Sequence, residues 1–121
     1  MRTVGVFVAA IASCWATAGM ACEAPAVVSV PDGKTSTKEQ MLAGQAQVKS
    51  YIAAMQDYLA CIDMEADAKG ADAPAEYKTL MADRHNAVVT EMESVAAAFN
   101  EQRKAYLAAN PQPPANAPPK N

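Results

Sequence analysis

Four side chains in this sequence could do chemistry of their own: the thiols of Cys14, Cys22 and Cys61, and the imidazole of His85. A thiolate is a nucleophile or a metal ligand, and an imidazole is a base or a ligand near neutral pH. Their spacing limits what they do. No two cysteines stand in a CxxC pair, and none form a cluster of zinc spacing. Hydrolysis of the triad kind needs nucleophile, base and orienting group held together, and a lone histidine gives only the base. Met81 and His85 are four residues apart, on one face of any helix that holds them. Thioether and imidazole together suit copper, or haem iron with Met/His ligation. CxxCH is absent, so covalent haem attachment is not encoded. Methionines also serve as ordinary gap-fillers. The competing reading makes His85 a seam residue that sets register, bonded to Tyr58 or to a nearby carboxylate.

The carboxylates do not converge. "DMEAD" from Asp63 and "EME" from Glu91 read as solvated faces and helix-end charges. EF-hand loop, phosphate loop, dinucleotide fingerprint and nucleophile elbow are all missing. The expectation is a protein that is not an enzyme and takes no cofactor. The formal charge of −3 and pI near 5.0 leave no basic stripe for phosphates, which argues against nucleic acid.

The cysteines are decided by the segment that precedes them. Arg2 and the apolar "TVGVFVAAIA" form the n- and h-regions of a signal peptide, too short for a membrane span. Small residues permit cleavage after Ala18 or after Ala21, with the second giving a signal peptide of residues 1–21. "IASC", ending at Cys14, also resembles a bacterial lipobox, so a lipid anchor at Cys14 is the alternative. Either route leads to an oxidising compartment, periplasmic or secreted. With Cys14 in the signal, Cys22 and Cys61 remain, and an even count in an exported small protein reads as a disulfide.

The elements must bring that pair together. "KTSTKEQML" is a helix start, with Ser36–Glu39 or Thr37–Gln40 as the capping box. Met41, Val48, Ile52, Met55, Leu59 and Ile62 then mark a seam of period near 3.5, its gap falling at Gly44 or Gln45. Gly70 stops this helix and Pro74 starts another. The second seam runs Tyr77, Met81, His85, Val88, Met92, Val95, Phe99, Gln102 and Tyr106, and Asn110-Pro111 ends it. The pattern predicts an all-α fold: a long antiparallel two-helix hairpin over 37–109, with helices at about 37–69 and 74–109. A turn near 70–73 sets Tyr58 opposite His85, Met55 opposite Val88 and Val48 opposite Val95.

Residues 22–36 are the extended N-terminal segment. Extended chain covers the ~36 Å of helix back to Cys61, so the segment packs back along helix 1. The proline-rich stretch 110–121 is expected to be a disordered tail.

Alanine supplies much of the 51% hydrophobic content, and only seven residues are Phe, Tyr or Trp. A core built this way is thin. The apolar stripe of Tyr51, Met55, Tyr58, Val88, Met92, Val95 and Phe99 is therefore expected to meet a partner: a second copy, or an envelope protein. The stretches from Cys22 through "PDGKTSTKEQM" to "VKSYIAAMQDYLACID", and "RHNAVVTEMESVAAAFNEQ", resemble small exported helical proteins of Gram-negative bacteria that lack an assigned activity. That resemblance implies the compartment and the hairpin, and transfers no catalytic residue.

Overall fold

A computed structural model describes residues 22–112. The expected signal peptide, Cys14 and most of the proline-rich tail lie outside the described residues. Two helices account for the rest of the architecture: α1, Lys38–Lys69, and α2, Ala75–Ala109. They pack antiparallel as one hairpin, each roughly 50 Å long at 1.5 Å per residue. Neither is long and apolar enough to cross a membrane.

Local chemistry sets the ends. Of the two candidate capping boxes, the structure uses Thr37 with Gln40. The Gln40 N–H donates to Thr37 Oγ1 at 3.2 Å, and the Thr37 N–H donates to Gln40 Oε1 at 2.8 Å. Helix α1 stops at Gly70, whose φ of 74° suits a residue without a Cβ, and its N–H donates to the Asp67 carbonyl. Pro74 precedes α2, fixing φ where no N–H is needed. At the far end, the Asn110 backbone and side-chain amides both donate to the Tyr106 carbonyl, and Pro111 prevents continuation.

The seam read from periodicity is the core. Met41, Val48, Met55 and Ile62 of α1 are buried against Met81, Val88, Val95 and Phe99 of α2, with Tyr51 beside them. Ile52 and Leu59 are only half-buried, because they sit on the rim of the seam. The α1 side at Gly44 lies near Phe99, Tyr51 lies beside Glu91, and Tyr58 meets Arg84. This register lies within one residue of the expected pairing of Tyr58 with His85.

Residues 22–36 form a strap. Its start is tied to α1 by the Cys22–Cys61 disulfide, with the Cα atoms 5.7 Å apart. Val28 and Val30 pack on the core. Pro31 then sits directly on Gly44 of α1. A Cβ at Gly44 would lie 2.7 Å from Pro31 Cδ. The gap in the α1 seam is thus the place where the strap crosses. Beyond it, the strap leaves α1 and reaches α2: the Gly33 N–H donates to Gln102 Oε1 at 2.9 Å. A Cβ on Gly33 would collide with the Gln102 backbone carbonyl. Asp32 closes the following turn, accepting from the N–H groups of Lys34 and Ser36. So the expected segment along helix 1 lies there at its start and on both helices at its end.

Candidate functional site

The helical repeat divides the hairpin into two grooves. Residues on a helix advance about 100° each, so Gly44, Tyr51, Tyr58 and Cys61 fall on one side of the α1 seam. Gln45, Lys49, Ile52, Gln56 and Asp63 fall on the other. On α2 the corresponding sets are Arg84, Glu91 and Gln102 against His85, Met92, Ala96 and Arg103. The strap occupies the first groove, and the second is open. A depression of about 390 Å³ in the open groove is lined by Val48, Ile52, Ala96 and Phe99, with Lys49 and Arg103 at its edge.

Each groove carries polar cross-links between the helices. On the strap side, Arg84 Nη2 donates to the Tyr58 hydroxyl at 3.2 Å, and Arg84 Nη1 pairs with Glu65 at 3.4 Å. The Tyr58 hydroxyl, and then Glu65, hold the Arg84 guanidinium above its ordinary value. Nearby, burial and then the Glu91 charge push the Tyr51 phenol up from its ordinary value near 10.0. On the open side, His85 Nδ1 lies 3.0 Å from Asp63 Oδ1. Of the two partners expected for His85, the carboxylate has it and Tyr58 is taken by Arg84.

His85 is therefore a rim residue rather than a buried seam member. Its side chain is 42% exposed, and Asp63's is 52%. It lines an open depression of about 360 Å³ at the turn, together with Asp67, Tyr77 and Lys78. An Asp–His pair orients an imidazole as in a triad, yet no Ser, Thr or Cys lines this depression. Tyr77 donates its hydroxyl to the Glu65 carbonyl, and Lys78 Nζ donates to the Ala71 carbonyl. Met81, the other candidate ligand, is only 5% exposed and belongs to the core. Among the described residues no group of three or more His, Cys, Asp or Glu could hold a metal ion.

The structure brings Cys22 and Cys61 together as expected, and a disulfide there suits an oxidising compartment. The expected interaction stripe needs correction. Tyr51, Met55, Val88, Val95 and Phe99 are buried within the hairpin, because the seam that carries them is spent on joining α1 to α2. Tyr58 faces the strap side. Of the seven, Met92 borders the open groove, where Ile52, Leu59, Val89 and Ala96 join it, all half-buried, and the buried Phe99 reaches the floor of its depression.

Arg84 had no role in the pattern of the sequence, and Gly44 stood there only as a gap in the α1 seam. Gln102 had a signal: a polar residue in an otherwise apolar seam. It receives the strap.

The fold and its grooves define a disulfide-strapped αα-hairpin. No protein-family model, no curated protein and no solved structure matches the chain.

Proposed function

We propose that this is an exported, non-enzymatic interaction protein, acting in the periplasm or after secretion, whose hairpin binds a second copy or an envelope protein through its open groove. The observation that carries the reading is the asymmetry of the two grooves. One is covered by the chain's own strap and pinned covalently. The other presents a half-buried apolar row between charged edges. An apolar row of that length on a slender hairpin supports a role in binding.

The test is site-specific photo-crosslinking in the native cell, followed by mass spectrometry of the adducts. A crosslinker at Lys49, in the open groove, captures a protein partner, and one at Ser94, on the strap side of α2, does not. Equal labelling from both positions, or none from either, sinks the reading. The purified protein's absorbance spectrum tests the metal or haem alternative. A Soret or copper band that disappears in His85→Ala would replace the interaction reading with that one. The intact mass reports a lipid at Cys14 or a mature start near Cys22.

A further inference from the structure

The open groove is chemically polarised along its length. Lys38 and Lys49 of α1 and Arg103 of α2 lie toward the end where α1 begins and α2 finishes. Asp63 and Asp67 lie toward the turn, where His85 already pairs with Asp63 and Lys78 is turned to the Ala71 carbonyl, leaving two carboxylates against one cationic side chain and the imidazole. Between them the groove is apolar, with Ile52 and Leu59 facing Val89, Met92 and Ala96. Among the described residues, Lys38, Lys49 and Arg103 have no carboxylate within salt-bridge distance.

On this pattern, and resting on the interaction reading above, we propose that the occupant of the open groove is a second copy of this chain, packed with its turn at the opposite end. Two two-fold operators would lay one open groove on another. An axis parallel to the helices keeps both turns at one end. It stacks Lys38, Lys49 and Arg103 of both copies together, and like charges in register oppose association. An axis across the helices reverses one copy, so the basic end of each lies over the acidic end of the other. The second operator is the one the charges select.

The spacing agrees with it. Lys49 and Asp63 are each seven residues from Gln56, about 10 Å along the helix in either direction. Seven residues is close to two turns, so all three share one face. With the axis at Gln56, Lys49 meets Asp63 of the partner subunit, and the reciprocal pair forms by symmetry. Gln56 then faces its own symmetry mate, where an amide can both donate and accept. The same axis crosses α2 close to Val89, placing the apolar row at the centre and the charges at the rim. Two helices of this length, side by side about 9 Å apart, offer on the order of 800 Å² per copy, the size of a standard specific interface.

Sedimentation equilibrium of the mature, oxidised protein from micromolar to millimolar concentration tests this. The wild type is a dimer over that range. Lys49→Glu raises the dissociation constant on the order of tenfold, and Asp63→Lys does the same, since each reverses two symmetric pairs. The double exchange returns the constant to within about threefold of wild type. Val89→Glu, a change at the apolar centre, yields monomer with unchanged helicity by circular dichroism. A strict monomer, or a dimer indifferent to Lys49→Glu, overturns the proposal.

A photo-crosslinking residue at position 56 separates this failure from failure of the broader reading. Adducts joining position 56 to α1 of another copy support the reversed dimer. Adducts to α2 of another copy overturn the operator. Adducts only to a different envelope protein overturn the dimer and leave the interaction reading standing. With no adduct at all, both fall.

Discussion

Replacing Gly44 by alanine should have opposite signs in two backgrounds, and that reversal tests the strap directly. In a bare helix the change is favourable, since alanine is about 1 kcal/mol better than glycine in a helix interior. Here the new Cβ would lie 2.5 Å from Pro31 Cγ and 2.7 Å from Pro31 Cδ. The proline ring is stiff and is held on both sides, by the Cys22–Cys61 bond upstream and by Gly33 on Gln102 downstream. Overpacking of this kind costs about 1–3 kcal/mol. In the oxidised protein the cost exceeds the propensity gain, and Gly44→Ala destabilises by about 1 kcal/mol. With Cys22 and Cys61 both changed to serine, the strap can lift and the propensity gain emerges as a stabilisation of up to about 1 kcal/mol. The assay is urea unfolding followed at 222 nm for the four proteins of the cycle, which isolates a coupling of about 1–2 kcal/mol. A Gly44→Ala effect that is favourable by the same amount in both backgrounds would refute the placement of Pro31 on α1.

The remaining predictions bear on the staple, the strap's far anchor and the phenol. Removing the disulfide by the double serine change opens a loop of 39-residue separation and costs up to about 4 kcal/mol in the chain-entropy model, read from urea midpoints of oxidised and disulfide-free protein. A cost under about 1 kcal/mol would mean the strap is held by packing and not by the bond. Gln102→Ala takes away the acceptor for the Gly33 N–H and costs about 1 kcal/mol. Limited proteolysis should then cut first near Gly33, and unchanged cleavage there would count against the contact. For Tyr51, the folded protein holds its phenol proton at a higher pH than the unfolded chain. Below pH 10 both states are protonated and the contribution is intact; as pH rises from there, the unfolded state loses its proton first and stability falls. Thermal melts at pH 9 and pH 11 should show a smaller loss for Tyr51→Phe than for wild type, and identical losses would reject the assignment.

The helices were legible because their signals are local and redundant. Thr37–Gln40, Gly70, Pro74 and Asn110-Pro111 each act within a few residues, and the seam repeats often enough to define a face. The disulfide was legible by counting, once an export signal was expected at the N-terminus. What the sequence hid was the destination of the strap. Its anchor on α2 depends on Gly33 and Gln102, 69 positions apart, and nothing at either position announces the other. Gly44 did announce itself, as a break in the seam, but a missing side chain does not say what fills its place. His85 shows the opposite error. Periodicity set it in line with Met81 and Val88, and the residue sits one helical step outward, where Asp63 can reach it. A 3.5-residue period cannot distinguish a buried seam position from its rim when the side chain is polar.

The same distinction explains why the stripe that periodicity marks most strongly is not left exposed. A hairpin has one seam, and its two helices bury it against each other before any partner arrives. The residues one step off the seam, Ile52, Leu59, Val89 and Met92, remain half-exposed and are the apolar surface left for the proposed partner. Both sides of the seam have such a flank, and without the strap they would compete as binding surfaces. Covering one flank with residues 22–36, tied at Cys61, leaves the other flank of the seam uncovered. Under the proposed interaction role, the disulfide acts on specificity as well as stability, because it removes one face from the competition. If the proposed dimer holds, a reduced or Cys-free protein gains a second sticky flank and should form species larger than the dimer at concentrations where the oxidised protein does not.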